Sequence, residues 1–388
     1  MKLNQKFTIV FLFMFINNIM ICSNSWFEII PLQELMQKMP RITYTKCFDA
    51  VPFHFQPFSI LPAYAHQGTF AESFIVTLPQ GIVQSQFGFI FINNYCIKEL
   101  IWADQSNLLT SAIPIIKNNI QKISGRVAVI AHIAFASYSH WLNEVLGRLA
   151  LLEMLHFEYD WLYISCDKPF MQETLQLWGI DPKKIISPNS PLFCIQADEL
   201  IVPCMLTDTD IGFATHVGLY AHPYTLKYVR NKLLTAAQTQ QSSTPLNSRV
   251  FISRKDAPWR QMINEDAVFN LLKIHGFERY ELSKMSVSDQ ILLFNNAEIV
   301  IGEHGTGLVN IMYCKPNTRA IEIFQSLIDS SFWYLANLFD LNYTPIKTID
   351  FAENHMINWP VYLDEYMQAW KTNTYISPKI IAQIIQTL

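Results

Sequence analysis

The sequence predicts an α/β fold built on parallel β-sheet, on three observations. In the second half of the chain, short apolar runs at 250–252, 277–282, 298–301 and 320–324 alternate with stretches of helical period. Strands separated by helices read as βαβ units, which pair in parallel. One strand-to-helix turn is glycine-rich, Gly302-Glu303-His304-Gly305-Thr306-Gly307, the place where such sheets bind anions. The composition, 51% hydrophobic and 15% charged over 388 residues, supplies enough apolar surface for more than one core.

Lys2 and Lys6 precede an apolar run at 7–16, then Asn17-Asn18, a second short run at 19–22, and small residues at Ser23 and Ser25. This reads as a secretory signal peptide over 1–25, or as a signal anchor if the second run extends the first. The run is shorter than the roughly 20 residues of a membrane-spanning helix. A frayed or buried first helix is the other reading. The expected location is the secretory pathway or a membrane held through this segment, with the cytoplasmic face of a membrane as the alternative. The seven cysteines have no Cys-x-x-Cys spacing; most lie in apolar stretches and read as core thiols, with Cys194 and Cys204 the expected pair if any forms. The net charge of −4 gives no electrostatic case for nucleic acid.

Residues 26–125 are rich in Pro, Phe and Asn, with strand-like runs at 73–78, 87–92 and 95–102, and predict a β-rich N-terminal region. From 126 the pattern becomes α/β. A buried-strand run at 127–131 precedes Ser137-Tyr138-Ser139, a helix N-cap, and a helical stretch at 140–155. On that helix His140, Asn143, Glu144 and Arg148 share one stripe opposite an apolar face. A strand at 161–165, a helix at 170–178 capped by Gly179, a strand at 200–203 and a helix at 222–237 complete a domain over 126–237. The polar stretch 238–248, QTQQSSTPLNS, is a linker.

The second α/β domain spans 249–350. Strand 250–252 runs into a loop carrying Arg254 and Arg260, and a helical stretch from Ala267 stops at Gly276. A strand at 277–282, a capped helix at 286–296, strand 298–301 with its glycine-rich turn, a further helix, strand 320–324 and a helix at 332–339 follow. Segments 361–370 and 378–387 read as helices crossing back onto the first domain from a tail over 351–388. Asn342-Tyr343-Thr344 is an N-glycosylation sequon beside a strand.

Two guanidinium groups at one strand end and a glycine-lined helix mouth at another suit a diphosphate. The blocks HWLNEVLGRLALLE, FISRKDAPWRQMINEDAV and SVSDQILLFNNAEIVIGEHGTGLVNIMYCKPNTRAIEIF together resemble the signature blocks of glycosyltransferase family 61. That family includes capsular polysaccharide enzymes, xylan-decorating transferases and O-linked N-acetylglucosaminyltransferases. The resemblance covers roughly 127–345. It implies a GT-B-like fold, two Rossmann-type domains facing a cleft. It also implies an inverting, metal-independent transfer from a nucleotide-sugar, UDP-linked by expectation, to a hydroxyl of a glycan, glycoprotein or lipid-linked acceptor.

On this reading the donor diphosphate is held by Arg254, Arg260, His304, Gly305, Thr306 and Gly307, and the ribose by Glu322. His140 or Glu144 is the base that takes the acceptor proton, with Arg148 paired to Glu144. The helix N-terminus favours neutral His140, while Glu144 opposes it. Glu303 and Thr306 depart from the family pattern, which has a Pro or small residue before the histidine and Ala after the following Gly. A silent member that binds nucleotide-sugar or glycan without turnover is the alternative. Asp208-Thr209-Asp210 is read as a solvated loop, and no His/Cys/Asp cluster has zinc spacing, so no metal or cofactor is expected.

Overall fold

The computed structural model describes residues 27–60, 66–101, 120–206, 221–240, 242, 245–324, 328–348 and 373–386. The expected signal segment, the Asp208-Thr209-Asp210 loop and the 361–370 helix lie outside them. Among the described residues no helix is long and apolar enough to cross a membrane.

The described residues form two large sheets and a small hairpin. The first sheet is mixed and ten-stranded. Its centre is parallel, in spatial order Cys194–Pro203, Gln121–Val129, Trp161–Tyr163, Ile185–Ile186. The connections carry the helical run 138–154 and helix Pro169–Trp178, which ends at Gly179 with φ 89°, a left-handed cap that glycine adopts without strain. Strand order therefore reverses between Gln121–Val129 and Cys194–Pro203. In open α/β sheets the crevice outside the strand C-termini at such a reversal is where ligands bind.

The β-rich N-terminal region does not stand apart. Ser73–Pro79 and Ile82–Gln84 pair antiparallel with Cys194–Pro203, and Phe89–Ile92, Tyr95–Ile97 and Glu28–Ile30 extend the sheet outward. The Phe89–Ile92 to Tyr95–Ile97 hairpin closes through Asn93-Asn94, with Asn93 at φ 53°, a conformation that Asn tolerates in tight hairpins. Strand pleating sends Ala128 and Phe91 to one buried cluster and Val127, Val129 and Ile90 to another, so both faces are covered.

The second sheet has five strands, all parallel: Glu278–Tyr280, Arg249–Ile252, Ile299–Glu303, Arg319–Phe324, Asn342–Lys347. Its order reverses between Arg249–Ile252 and Ile299–Glu303, the strands that lead to Arg254 and to the glycine turn. Helix Glu265–Ile274 stops before Gly276 at φ 80°. Helix Val287–Asn296 starts at Ser286, whose hydroxyl accepts from Asp289 N at 3.0 Å, a cap worth about 1 kcal/mol. The helix expected after the glycine turn is a 3-10 helix, Thr306–Tyr313, and Ser331–Leu338 follows the fourth strand.

Helix Pro378–Gln386 does not cross back to the first sheet. Its Ile381 and Ile384 pack with Phe251, Ile301 and Ile321 of the second, because the repeated isoleucines fit that sheet's apolar face. The two sheet systems share one continuous core containing Trp141, Leu149, Val309 and Phe324. Polar contacts join them as well. Arg230 donates to Met312 O at 2.6 Å and Cys314 O at 3.1 Å, and Glu173 accepts from Val287 N at 2.6 Å. The expected Cys194–Cys204 pair is absent, and both are free thiols. They bracket the extended strand Cys194–Pro203, and at about 3.3 Å per residue that holds them roughly 30 Å apart.

Candidate active site

At the first reversal, strand Gln121–Val129 continues through buried Ile130 and Ala131 to His132. A turn closed by Phe135 N to His132 O and Ser137 N to Ala134 O leads into a run of Tyr138–His140, a π-helical turn Trp141–Val145, and Leu146–Met154. Ser137 starts the helix without a side-chain cap. π-turns within helices concentrate at functional sites.

The expected polar stripe is not a solvent face. Asn143, Glu144 and Arg148 are buried, and among the stripe residues His140 keeps the most exposure, its side chain 27% accessible. Arg148 does not hydrogen-bond Glu144, contrary to expectation. Its guanidinium donates to Ala131 O at 2.6 Å and to Pro203 O at 2.8 and 3.1 Å, which stitches together the C-terminal ends of the two strands at the reversal. Carbonyls at those strand ends need donors, and the guanidinium fork supplies three. Burial pushes the Arg148 guanidinium down to about 10, still charged at neutral pH.

Glu144 lies under two imidazoles. Its Oε2 is 2.7 Å from His140 Nδ1 and 3.3 Å from His132 Nε2. Burial opposes the imidazolium of His140, but the attraction and hydrogen bond of Glu144, with Asp329 adding, raise its pKa above the ordinary value. The lowering expected from the helix N-terminus is overridden. His132 behaves oppositely, and burial pushes it down to about 4 despite Glu144.

At the second reversal, Arg254 follows the first strand of its sheet. Nε donates to Arg260 O at 3.0 Å and Nη2 to Trp259 O at 3.1 Å. Arg260 sits at φ 58°, which folds the loop back so that its carbonyl meets Arg254; its side chain is buried. Nη1 of Arg254 abuts the glycine turn, where a Cβ built on Gly305 would lie 1.8 Å away. Gly305 is required here for close approach, not for its φ of 174°. Burial lowers the pKa of Arg254, while Glu303 and Asp256 raise it. Glu303 is buried, so the carboxylate that departs from the family pattern acts electrostatically on this guanidinium.

His304 stacks on Phe324 with ring centroids 5.4 Å apart and hydrogen-bonds Glu322 Oε1 through Nδ1 at 2.5 Å. The other oxygen of Glu322 accepts from Tyr343 Oη at 2.5 Å. Each carboxylate oxygen of Glu322, the residue expected at a ribose, thus accepts from a protein group, one of them the His304 ring. Burial raises the pKa of Glu322 against the lowering effect of His304 and Tyr343. Thr306 and Gly307 open the 3-10 helix, and Leu282 fills the space beside Gly307.

The two reversals meet. Tyr138, at the start of the His140 helix, donates to Asn310 Oδ1 at 3.1 Å, and Asn310 Nδ2 donates to Gln290 at 2.9 Å. The turn that carries His140 therefore sits on the 3-10 helix that begins at the glycine turn. Asp329 acts electrostatically on both His140 and Glu322. Sequence reading missed His132, Asp329 and Tyr343; only His132 carried a signal, its position just past a buried strand. A hollow of about 450 Å³ lined by Pro245, Asn247, Arg279 and Tyr280 contains none of these groups. Among the described residues no group of three His, Cys, Asp or Glu side chains is placed to hold a metal ion.

Comparison with known proteins fits this geometry. Residues 138–321 match the sequence profile of the family described as Glycosyltransferase 61, in agreement with the resemblance read from the sequence blocks. The chain is similar to the EGF domain-specific O-linked N-acetylglucosamine transferase of Mus musculus, 26% identical over 110 residues, which is 27% of this chain and 21% of that protein. The same enzyme of Pan troglodytes is 26% identical over the same shares. The chain thus matches about a fifth of the length of these curated relatives.

Proposed function

We propose that this chain, which carries the glycosyltransferase 61 family sequence over residues 138–321, is an inverting, metal-independent glycosyltransferase that moves one sugar from a nucleotide-sugar to a hydroxyl acceptor. The observation that carries this reading is the meeting of two strand-order reversals, one bearing His140 on Glu144 and the other Arg254 against Gly305. That juxtaposition supports a GT-B-like arrangement, with the donor on the second sheet and the acceptor approaching from the first.

Nδ1 of His140 is committed to Glu144, so Nε2 takes the acceptor proton and Glu144 is the orienting carboxylate. The acceptor oxygen then bonds to the anomeric carbon while the bond from that carbon to the diphosphate breaks, in one displacement that inverts configuration. Negative charge growing on the departing diphosphate is met by Arg254 and the backbone N–H groups of the glycine turn, with the Arg260 loop holding Arg254 in place. His304, fixed by Glu322, presents Nε2 to the phosphate or to a sugar hydroxyl. UDP is the proposed nucleotide, and a glycan, glycoprotein or lipid-linked molecule the acceptor. A secretory or membrane-held location through 1–25 belongs to the same proposal.

A second reading has its own observation. Buried Glu303 acts on Arg254 and lessens its attraction for a diphosphate, as in a member that binds without turnover. Nucleotide release from uridine-, guanosine- and thymidine-diphosphate sugars, with the product anomer read by NMR, separates the two. Release with inverted product supports transfer. Binding of a nucleotide without release from any donor and acceptor supports the second reading.

A further inference from the structure

The buried histidine that follows the central strand of the first sheet is not used by the reaction just described. His132 is 1% exposed, so its polar atoms must be satisfied inside the protein. Its Nδ1 accepts a hydrogen bond from Ala134 N at 3.1 Å, which puts the proton of the neutral ring on Nε2. That nitrogen faces Glu144 Oε2 at 3.3 Å, the same oxygen that holds His140 Nδ1 at 2.7 Å. The two imidazole rings lie 6.1 Å apart, 22° from parallel. His132 is fixed to the strand end, and Arg148 holds that strand end by its bond to Ala131 O. The chain of contacts therefore runs from the rigid sheet through His132 to Glu144 and outward to His140.

We propose that His132 is a positioning residue for the His140 base: it holds the Glu144 carboxylate from the sheet side, so that Glu144 fixes His140 as its Nδ1–H tautomer with Nε2 available to the acceptor. This rests on the reading of His140 as the base. Glu144 is a buried carboxylate on a locally π-wound helix, and a small rotation of it would carry the His140 imidazole off the acceptor hydroxyl. His132 suits the task because it stays neutral in its buried site. Its Nε2 lies 3.3 Å from Glu144 Oε2, and as a neutral ring it leaves the carboxylate charge that acts on His140 in place. Arg148 and Asp329 are the other charged groups that act on the pair.

The test uses two amide variants of the full chain. In His132→Gln the amide nitrogen falls about where Nε2 sits; in His132→Asn it falls about where Nδ1 sits, leaving nothing to meet Glu144. Nitrogen-15 NMR of the histidine rings reads the His140 tautomer directly. The wild type and His132→Gln should show the Nδ1–H form, and His132→Asn should show a mixture. Turnover should fall about tenfold to a hundredfold in His132→Asn, with the KM for donor unchanged, as for groups that orient a functional imidazole, and His132→Gln should restore most of it. An unchanged tautomer in His132→Asn overturns the proposal, and so does equal damage from both variants. Should the chain transfer no sugar at all, the transferase reading fails while the ring tautomers still decide whether His132 positions His140.

Discussion

Two carboxylate–histidine pairs, one on each sheet, use the same bond for different ends. His140 on Glu144 and His304 on Glu322 are both joined through Nδ1. The side chain of His140 is 27% exposed, that of His304 only 7%. Glu144 lies between two histidines, so its charge is directed at imidazoles and raises His140. Glu322 is shared with a tyrosine hydroxyl and is itself raised by burial, so it serves as an orienting acceptor in a stack of aromatic rings. On the proposed function, one pair takes a proton and the other holds a ring still beside the diphosphate.

The comparison predicts unequal damage. His140→Ala should cost the most, about 10² to 10⁴-fold in turnover, the usual contribution of a general base, with the protein folded as judged by its melting temperature. Gly305→Ala should follow, with a loss of about 10²-fold or more. The added methyl displaces Nη1 of Arg254, and the backbone there imposes no strain, so calorimetric stability should change little while donor use falls. Loss of stability in place of activity would move Gly305 from the site to the scaffold. Tyr343→Phe should cost least, on the order of tenfold or below, because Glu322 keeps His304 when the phenol is gone.

pH separates the pairs as well. His132 has a native pKa of about 4, below its unfolded value of 6.5, so the unfolded state binds more protons between them. Stability contributed by neutral His132 is full above pH 6.5 and falls as pH drops toward 4, by about 3 kcal/mol in all. Urea titrations across that window should show part of this acid sensitivity removed in His132→Gln. The remainder includes His222, which burial also pushes down to about 4.

Much of the second sheet was legible in the sequence because its signals are local. Strand runs, Ser286, Gly276 and the glycine turn each carry their own conformation, and Arg254 meets Gly305 across adjacent strands. The first site was legible only as a stripe. His140 and Glu144 are one helical turn apart, but His132 joins them through the path of a loop, and Arg148 turns to carbonyls on two strands distant in sequence. Glu322 was placed at a ribose by analogy with dinucleotide folds; its partner Tyr343 lies on the neighbouring parallel strand, a register that pattern alone does not supply. The antiparallel edge of the first sheet was read as a separate region because its strands are short and their pairing with Cys194–Pro203 is nonlocal.

The central claim is a division of labour, with diphosphate held on the second sheet and proton abstraction performed from the first. Calorimetric titration of UDP into Arg254→Ala and His140→Ala, run side by side, tests it most directly. The account predicts that Arg254→Ala loses UDP affinity by about tenfold or more, while His140→Ala binds UDP as the wild type does and loses turnover by about 10² to 10⁴-fold. Wild-type affinity in Arg254→Ala, or an equal loss in His140→Ala, would contradict it.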